Sequence, residues 1–328
     1  MTALINAIGL FGTGLTTIGF IQGNVPGTAD PLGATVRIKV GLKELGDDGT
    51  SLGGSINNIY AFNEHNGYAD ETGGCDTGSG GVCDVIVDQS SESEAGRRAS
   101  YISISNNDDA TCIAWTTAKQ FDESFGGAWT GDIGKSCGQS WYASVEPAGR
   151  YKADGDGPDE STGDEYVPAC TWLDADHTNE IESAALKFDT GAYGESVQDA
   201  IDNGEGCTFT LWGSDNGPIA GQPGARKRSS KDRPTWMHVQ LIMSNYTSHT
   251  AADLCNSATS WGPDFVGVDG MFCDMGSKVM TPLCATESVD GCVVIDEQAR
   301  TFTRRISVAK RAADVAHKSY KKVHHWGL

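Results

Sequence analysis

Apolar and polar residues alternate over short stretches along much of the chain. Thr35-Val36-Arg37-Ile38-Lys39-Val40 places Val36, Ile38 and Val40 on one side and Thr35, Arg37 and Lys39 on the other. That is the two-residue period of a strand with one buried face. Similar β-type stretches occupy 55–62, 82–87, 99–105, 111–117, 128–129, 140–145, 170–173, 207–212 and 235–243. Turn-forming clusters separate them, among them Gly46-Asp47-Asp48-Gly49 and the runs 73–81, 106–109 and 154–164. Helical patterning is confined to 195–203, to 248–255 with Ser248 or Thr250 available as N-cap, and to a basic, weakly amphipathic stretch at 306–320. Short strands with turns about every ten residues predict a mainly β fold, a β-sandwich core with few short helices.

Composition divides the chain further. Its 328 residues suggest two domains at about 150 residues each, or one large domain with extensions. An apolar, glycine-rich segment fills 1–32, the sandwich is expected over 33–212, and a Gly/Pro-rich polar linker over 213–234. A small cysteine-rich module at 235–299 and a basic tail at 300–328 follow. The net charge of −20 is unevenly placed: −24 over 1–225, −3 over 226–299 and +7 over 300–328. This balance excludes a general nucleic-acid binder, which needs basic surface to displace counterions. It also suggests self-association of the basic tail with the acidic body.

Ten cysteines, Cys75, Cys83, Cys112, Cys137, Cys170, Cys207, Cys255, Cys273, Cys284 and Cys292, are spread singly with no C-x-x-C pair. That spacing argues for five disulfides in an oxidising compartment rather than a zinc site. Connectivity does not follow from spacing, and pairing of chain neighbours is the expectation: 75–83, 112–137, 170–207, 255–273 and 284–292. The sequon Asn245-Tyr246-Thr247 and the dibasic sites Arg226-Lys227-Arg228, Arg304-Arg305 and Lys310-Arg311 agree with export. The first 22 residues hold no Lys or Arg and are broken by Gly9, Gly12, Gly14 and Gly19, so they make a poor signal peptide and a poor membrane helix. Three readings stand for this stretch: a trimmed or damaged signal region, an ordered segment packed on the fold, or a membrane-active element at 9–21.

Several blocks form a recognisable set. They are Asp108-Asp109-Ala110-Thr111-Cys112-Ile113, Trp129-Thr130-Gly131-Asp132-Ile133-Gly134, Cys137-Gly138 with Trp141-Tyr142, and the run 170–179 from Cys170-Thr171-Trp172 to His177-Thr178-Asn179. Downstream blocks are Ser248-His249-Thr250, Leu254-Cys255, Gly262-Pro263-Asp264-Phe265-Val266, Phe272-Cys273-Asp274-Met275 and Pro282-Leu283-Cys284. Over about 35–295 the chain thereby resembles a family of secreted, cysteine-containing fungal proteins of unknown function. The resemblance implies an extracellular fungal protein and carries no activity or catalytic residue with it.

The densest polar cluster is Asp174, Asp176, Thr178, Asn179, Glu180 and Glu182. In a strand, 174, 176 and 178 share a face, where two carboxylates and a hydroxyl would offer hard oxygen ligands to calcium or a pair for hydrolysis. A polar turn at a strand end gives the same residues. Asp154 and Asp156, in the acidic run to Asp164 and Glu165, are a second calcium candidate against an acidic loop. His177 lies inside the first cluster, and His249 next to Ser248 falls at a helix start. There is no G-x-S-x-G, H-E-x-x-H or phosphate-binding loop. Trp129 and Trp141, beside Gly-rich turns, are the candidates for exposed stacking surfaces, although tryptophans in strands are mostly core.

These readings give a secreted, disulfide-stabilised extracellular protein with a binding, interaction or assembly role and no assigned cofactor. Its partner would be an unknown extracellular molecule or polysaccharide. The alternatives are a polysaccharide-directed hydrolase using Asp174 and Asp176, and a membrane-active toxin acting through 9–21.

Overall fold

The computed structural model describes residues 6–11, 14–27, 33–42, 52–89, 96–122, 126–151, 164–194, 196–202, 206–220, 235–257, 259–296, 298–305 and 318–327. The chain forms two compact units, Met1–Lys227 and Arg228–Leu328.

In the first unit the strands are β1 Asn6–Phe11, β2 Gly14–Phe20, β3 Ala34–Val40, β4 Gly54–Phe62, β5 Tyr68–Gly73, β6 Asp76–Thr77, β7 Val82–Val87 and β8 Tyr101–Asn106. They continue with β9 Thr111–Gln120, β10 Gly126–Thr130, β11 Trp141–Tyr142, β12 Gly149–Tyr151, β13 Glu165–Tyr166, β14 Cys170–Leu173, β15 Ala185–Asp189 and β16 Thr210–Gly213. Short helices α1 Gly131–Ser136 and α2 Val197–Asp202 interrupt them. One sheet runs β11-β14-β9-β10-β1-β2-β12-β13, with β3 pairing β9 and β7. The other runs β16-β15-β8-β4-β5, with β6 on β4. Val36, Ile38, Ile113 and Trp129 of the first sheet share one core with Ile59, Ile104, Leu186 and Phe188 of the second. The expected mainly β, two-layer fold is therefore present.

The apolar N-terminal stretch is part of this layer structure. β1 and β2 form a hairpin that joins β10 on one side and β12 on the other. Ile18 and Phe20 are buried, and the Phe20 ring meets Trp115 edge-on at 5.7 Å. Of the three readings for this stretch, the packed segment describes 14–20. The first part of the expected linker is also packed. The Asn216 carbonyl accepts from Tyr60, and the Ile219 carbonyl accepts from Lys187.

The second unit holds α3 Thr235–His238, β17 Gln240–Ser244, α4 Ala251–Asn256, β18 Asp264–Val266, β19 Met271–Asp274, β20 Val279–Pro282, β21 Val293–Asp296, β22 Thr301–Arg304, β23 Lys318–Ser319 and β24 Lys322–Trp326. A five-stranded sheet has the order β20-β19-β18-β17-β24. A smaller sheet has the order β21-β22-β23. Two expectations change here and one is narrowed. Residues 235–238 are a helical turn, and the strand begins only at Gln240. Thr250, not Ser248, caps α4, accepting from the Asp253 N–H at 3.1 Å. The described end of the expected tail is structure: β24 runs parallel to β17, with His324 and Trp326 buried. Residues 306–317, most of the expected C-terminal helix, lie outside the described residues, and 318–319 are strand.

All ten cysteines are bonded, and two expected pairs are exchanged. Cys75–Cys83, Cys255–Cys273 and Cys284–Cys292 join as expected. Cys112 pairs with Cys170, and Cys137 with Cys207. The cause is topological. β14 returns to lie antiparallel against β9, with Trp172 opposite Cys112, which brings Cys170 to a Cα separation of 5.2 Å. Cys137 ends α1 on one layer and meets Cys207, which leads into β16 of the other. Cys75–Cys83 also crosses between layers, from the β5–β6 connection to β7. Disulfides thus cross-link the sandwich itself, limiting the unfolded chain where the core alone would have to hold the layers.

Candidate functional site

β14 ends at Leu173, pinned to β9, and its last register position hands the chain to Asp174. The Asp174 N–H donates to the Ser183 carbonyl at 2.9 Å, so this residue sits inside the fold's edge with 0% of its surface exposed. The chain then leaves strand geometry. His177 adopts a left-handed φ of 56°, and Thr178–Glu180 form a 3₁₀ turn. The alternation expected for 174, 176 and 178 is therefore absent, and Glu180 and Glu182 point to solvent as exposed residues. A polar turn at a strand end describes this cluster.

Asp176 builds the turn. Its Oδ1 accepts from the Thr178 N–H at 2.9 Å, an Asx turn, while the Thr178 hydroxyl donates to Asp174 Oδ2 at 2.8 Å. Asp174 Oδ1 meets no donor. Burial, with added repulsion and hydrogen bonding from Asp176, pushes the Asp174 carboxyl up to about 7. The Thr178 N–H holds exposed Asp176 below its ordinary value. One proton shared between a buried and an exposed carboxyl follows from this pairing. Such a pair resembles an acid and its conjugate base, but the acid has no surface through which a substrate could touch it. His177 Nδ1 lies 2.8 Å from the Ile181 carbonyl, and its effect on the pair is a minor electrostatic pull on Asp176.

Among the described residues no three His, Cys, Asp or Glu side chains gather in a group suited to a metal ion. The calcium expectation at Asp174 and Asp176 meets two carboxyls that hold a proton between them. Asp154 and Asp156 lie outside the described residues.

Neither tryptophan singled out for binding is available. Trp129 is 0% exposed and packs edge-on against Trp212 at 6.1 Å. Trp141 is 3% exposed, with the Lys135 ammonium 4.2 Å from the centre of its ring. Trp129 faces the core shared by the two sheets, whereas Trp141 lies on the edge strand β11 and is covered there. Asn245 and Thr247 of the sequon are exposed, on the loop after β17.

Three groupings had no sequence signal beyond residue type. Asp264, wholly buried, accepts from Lys318 at 3.0 Å, from the Tyr320 hydroxyl at 2.9 Å and from the Met275 N–H at 3.0 Å, and Lys318 also reaches Asp274 at 2.6 Å. Part of the basic tail's charge is thereby engaged within its own unit. His249 contacts Ser244 rather than its neighbour Ser248, at 2.7 Å, beneath the rings of Tyr246, Phe265 and Trp326. Ser244 and His249 are both buried, the packing of a core histidine. Lys187 is wholly buried in the first unit.

Comparison with family models, with curated proteins and with solved structures gave no match. No helix among the described residues is long and apolar enough to cross a membrane.

Proposed function

We propose that the chain is an exported extracellular protein that works by binding or assembly, stabilised by its disulfides. The observation that supports this reading best is that every cysteine is paired, with two bridges crossing between the layers of the sandwich. Protein held in a reducing cytosol would lose these bonds. The exposed sequon at Asn245 and the sequence likeness to secreted fungal proteins support the same reading.

Binding is favoured over hydrolysis by the burial of Asp174. A general acid must touch its substrate, and Asp174, the carboxyl of this pair held protonated near neutrality, is covered. The toxin reading asks residues 9–21 to enter a bilayer, whereas Ile18 and Phe20 are packed against the sandwich.

The test is secretion from a eukaryotic host with a supplied leader, followed by incubation with a polysaccharide panel and with liposomes. The proposal expects soluble, fully oxidised protein that releases no sugar and no liposome contents. Release of reducing ends that is lost in Asp174→Asn supports the hydrolase instead. Leakage that is lost on deleting residues 9–21 supports the toxin.

A further inference from the structure

Lys187 sits on β15, between β8 and β16, and is 0% exposed. Buried lysines almost always face a carboxylate. This chain has 44 acidic residues, yet among the described residues none pairs with Lys187. Its Nζ instead lies 2.5 Å from Asn66 Oδ1 and 3.2 Å from the Ile219 carbonyl. The Phe62 ring is 3.1 Å away at its centre, and the Tyr101 ring 5.4 Å. Burial draws the amine down to about 8, so about a tenth of it is uncharged at pH 7, far more than for an ordinary lysine.

Asn66 is fixed by its turn. Asn63 Oδ1 accepts from the N–H groups of His65 and Gly67, at 3.0 and 2.9 Å, and the Asn66 N–H donates to the Asn63 carbonyl. Asn66 has φ 60°, a left-handed conformation that asparagine tolerates. With a carbonyl bond of about 1.23 Å, the Nζ–Oδ1 distance places Nζ no more than about 3.7 Å from Cγ. Amine and carboxamide are thus held close to attack distance by two pre-ordered elements, which removes much of the entropic barrier to reaction.

We propose that Lys187 and Asn66 join in an isopeptide bond. The Nζ lone pair attacks Asn66 Cγ, and a C–N bond forms. The Cγ–Nδ2 bond breaks, and Nδ2 leaves as ammonia carrying one proton from Nζ. The exchange is redox-neutral and needs no co-reactant. Asn66 is an exposed residue, so ammonia departs directly to water. The competing nucleophile, the N–H of Gly67 that would close an imide with Asn66, is engaged by Asn63. The bond would tie the β4–β5 turn to β15 within one sheet, a cross-link beyond the five disulfides, and the inference is independent of the proposed function.

The experiment is intact mass spectrometry of the purified full chain after reduction and alkylation of all cysteines, with tryptic peptide mapping. The expected result is a chain lighter than its sequence by one ammonia. Trypsin should not cut after Lys187, and a branched peptide should join the Asn66 and Lys187 segments. Lys187→Arg and Asn66→Ser should each restore the full mass. A wild-type chain of full mass that is cut after Lys187 overturns the proposal, whether or not the variants fold. So does an ammonia deficit that persists in Lys187→Arg, which marks an imide at Asn66–Gly67, or conversion of Asn66 to aspartate.

Discussion

Replacing Asp174 with asparagine isolates the shared proton at the end of β14. The folded chain keeps the Asp174 proton up to about 7, against an ordinary value of 3.8. Between those values the folded state binds a proton that the unfolded state has lost. Stability is therefore fully present below about pH 4 and falls as pH rises through 7. The whole shift corresponds to a ceiling of about 4 kcal/mol. Water reaching the exposed Asp176 screens part of it, leaving roughly 1–3 kcal/mol. Asparagine keeps the side-chain shape, carries no charge, and offers an N–H to Asp176 where the held proton lay. Asp174→Asn is expected to match the wild type near pH 4, where Asp174 is protonated in both states, and to exceed it by roughly 1–3 kcal/mol near pH 8. Urea unfolding of the oxidised protein at both pH values, followed by tryptophan fluorescence, measures this. A variant weaker than wild type near pH 8 would refute the reasoning, because ionised Asp174 would then be the favoured form. Calcium that stabilises wild type but not Asp174→Asn would refute it in the same way.

Removing the long-range bridge with Cys137→Ser and Cys207→Ser should cost about 4 kcal/mol, against about 2.5 kcal/mol for the short Cys284–Cys292 loop, read from urea midpoints. Lys318→Met should cost about 3 kcal/mol in the second unit by leaving buried Asp264 without its cation, and Asp264→Asn on top should recover part of that loss. Trp129→Ala should destabilise the sandwich by about 3–5 kcal/mol, as a core ring does, where an exposed stacking residue would cost little. In a secretory host, Asn245→Gln should remove any glycan mass carried on the loop after β17.

The strand pattern was legible because side chains of β3, β4 and β9 meet one shared core, and alternation survives wherever one face is more covered than the other. Pairing of Cys112 and Cys137 was not. Nothing local to either residue reports that β14 folds back onto β9, so nearness along the chain misled. Trp129 and Trp141 misled for a related reason, since a glycine-rich flank reports a turn and not which side of a layer the ring takes. At Asp174 the residue types suggested paired carboxylates, and the structure does pair them. The left-handed His177 that turns the chain is invisible to spacing arguments. Lys187 lies in Ala185-Leu186-Lys187-Phe188-Asp189, where a lysine between apolar neighbours reads as outward-facing. It is covered because the turn at Asn66 and the stretch around Ile219 close over it.

Cross-linked sulfur joins the two layers of the sandwich. Non-reducing peptide mapping of the purified, oxidised chain checks this. The account predicts Cys112 linked to Cys170 and Cys137 to Cys207, with no free thiol. Bonds from Cys112 to Cys137 and from Cys170 to Cys207, or alkylatable thiols in the folded protein, would contradict it.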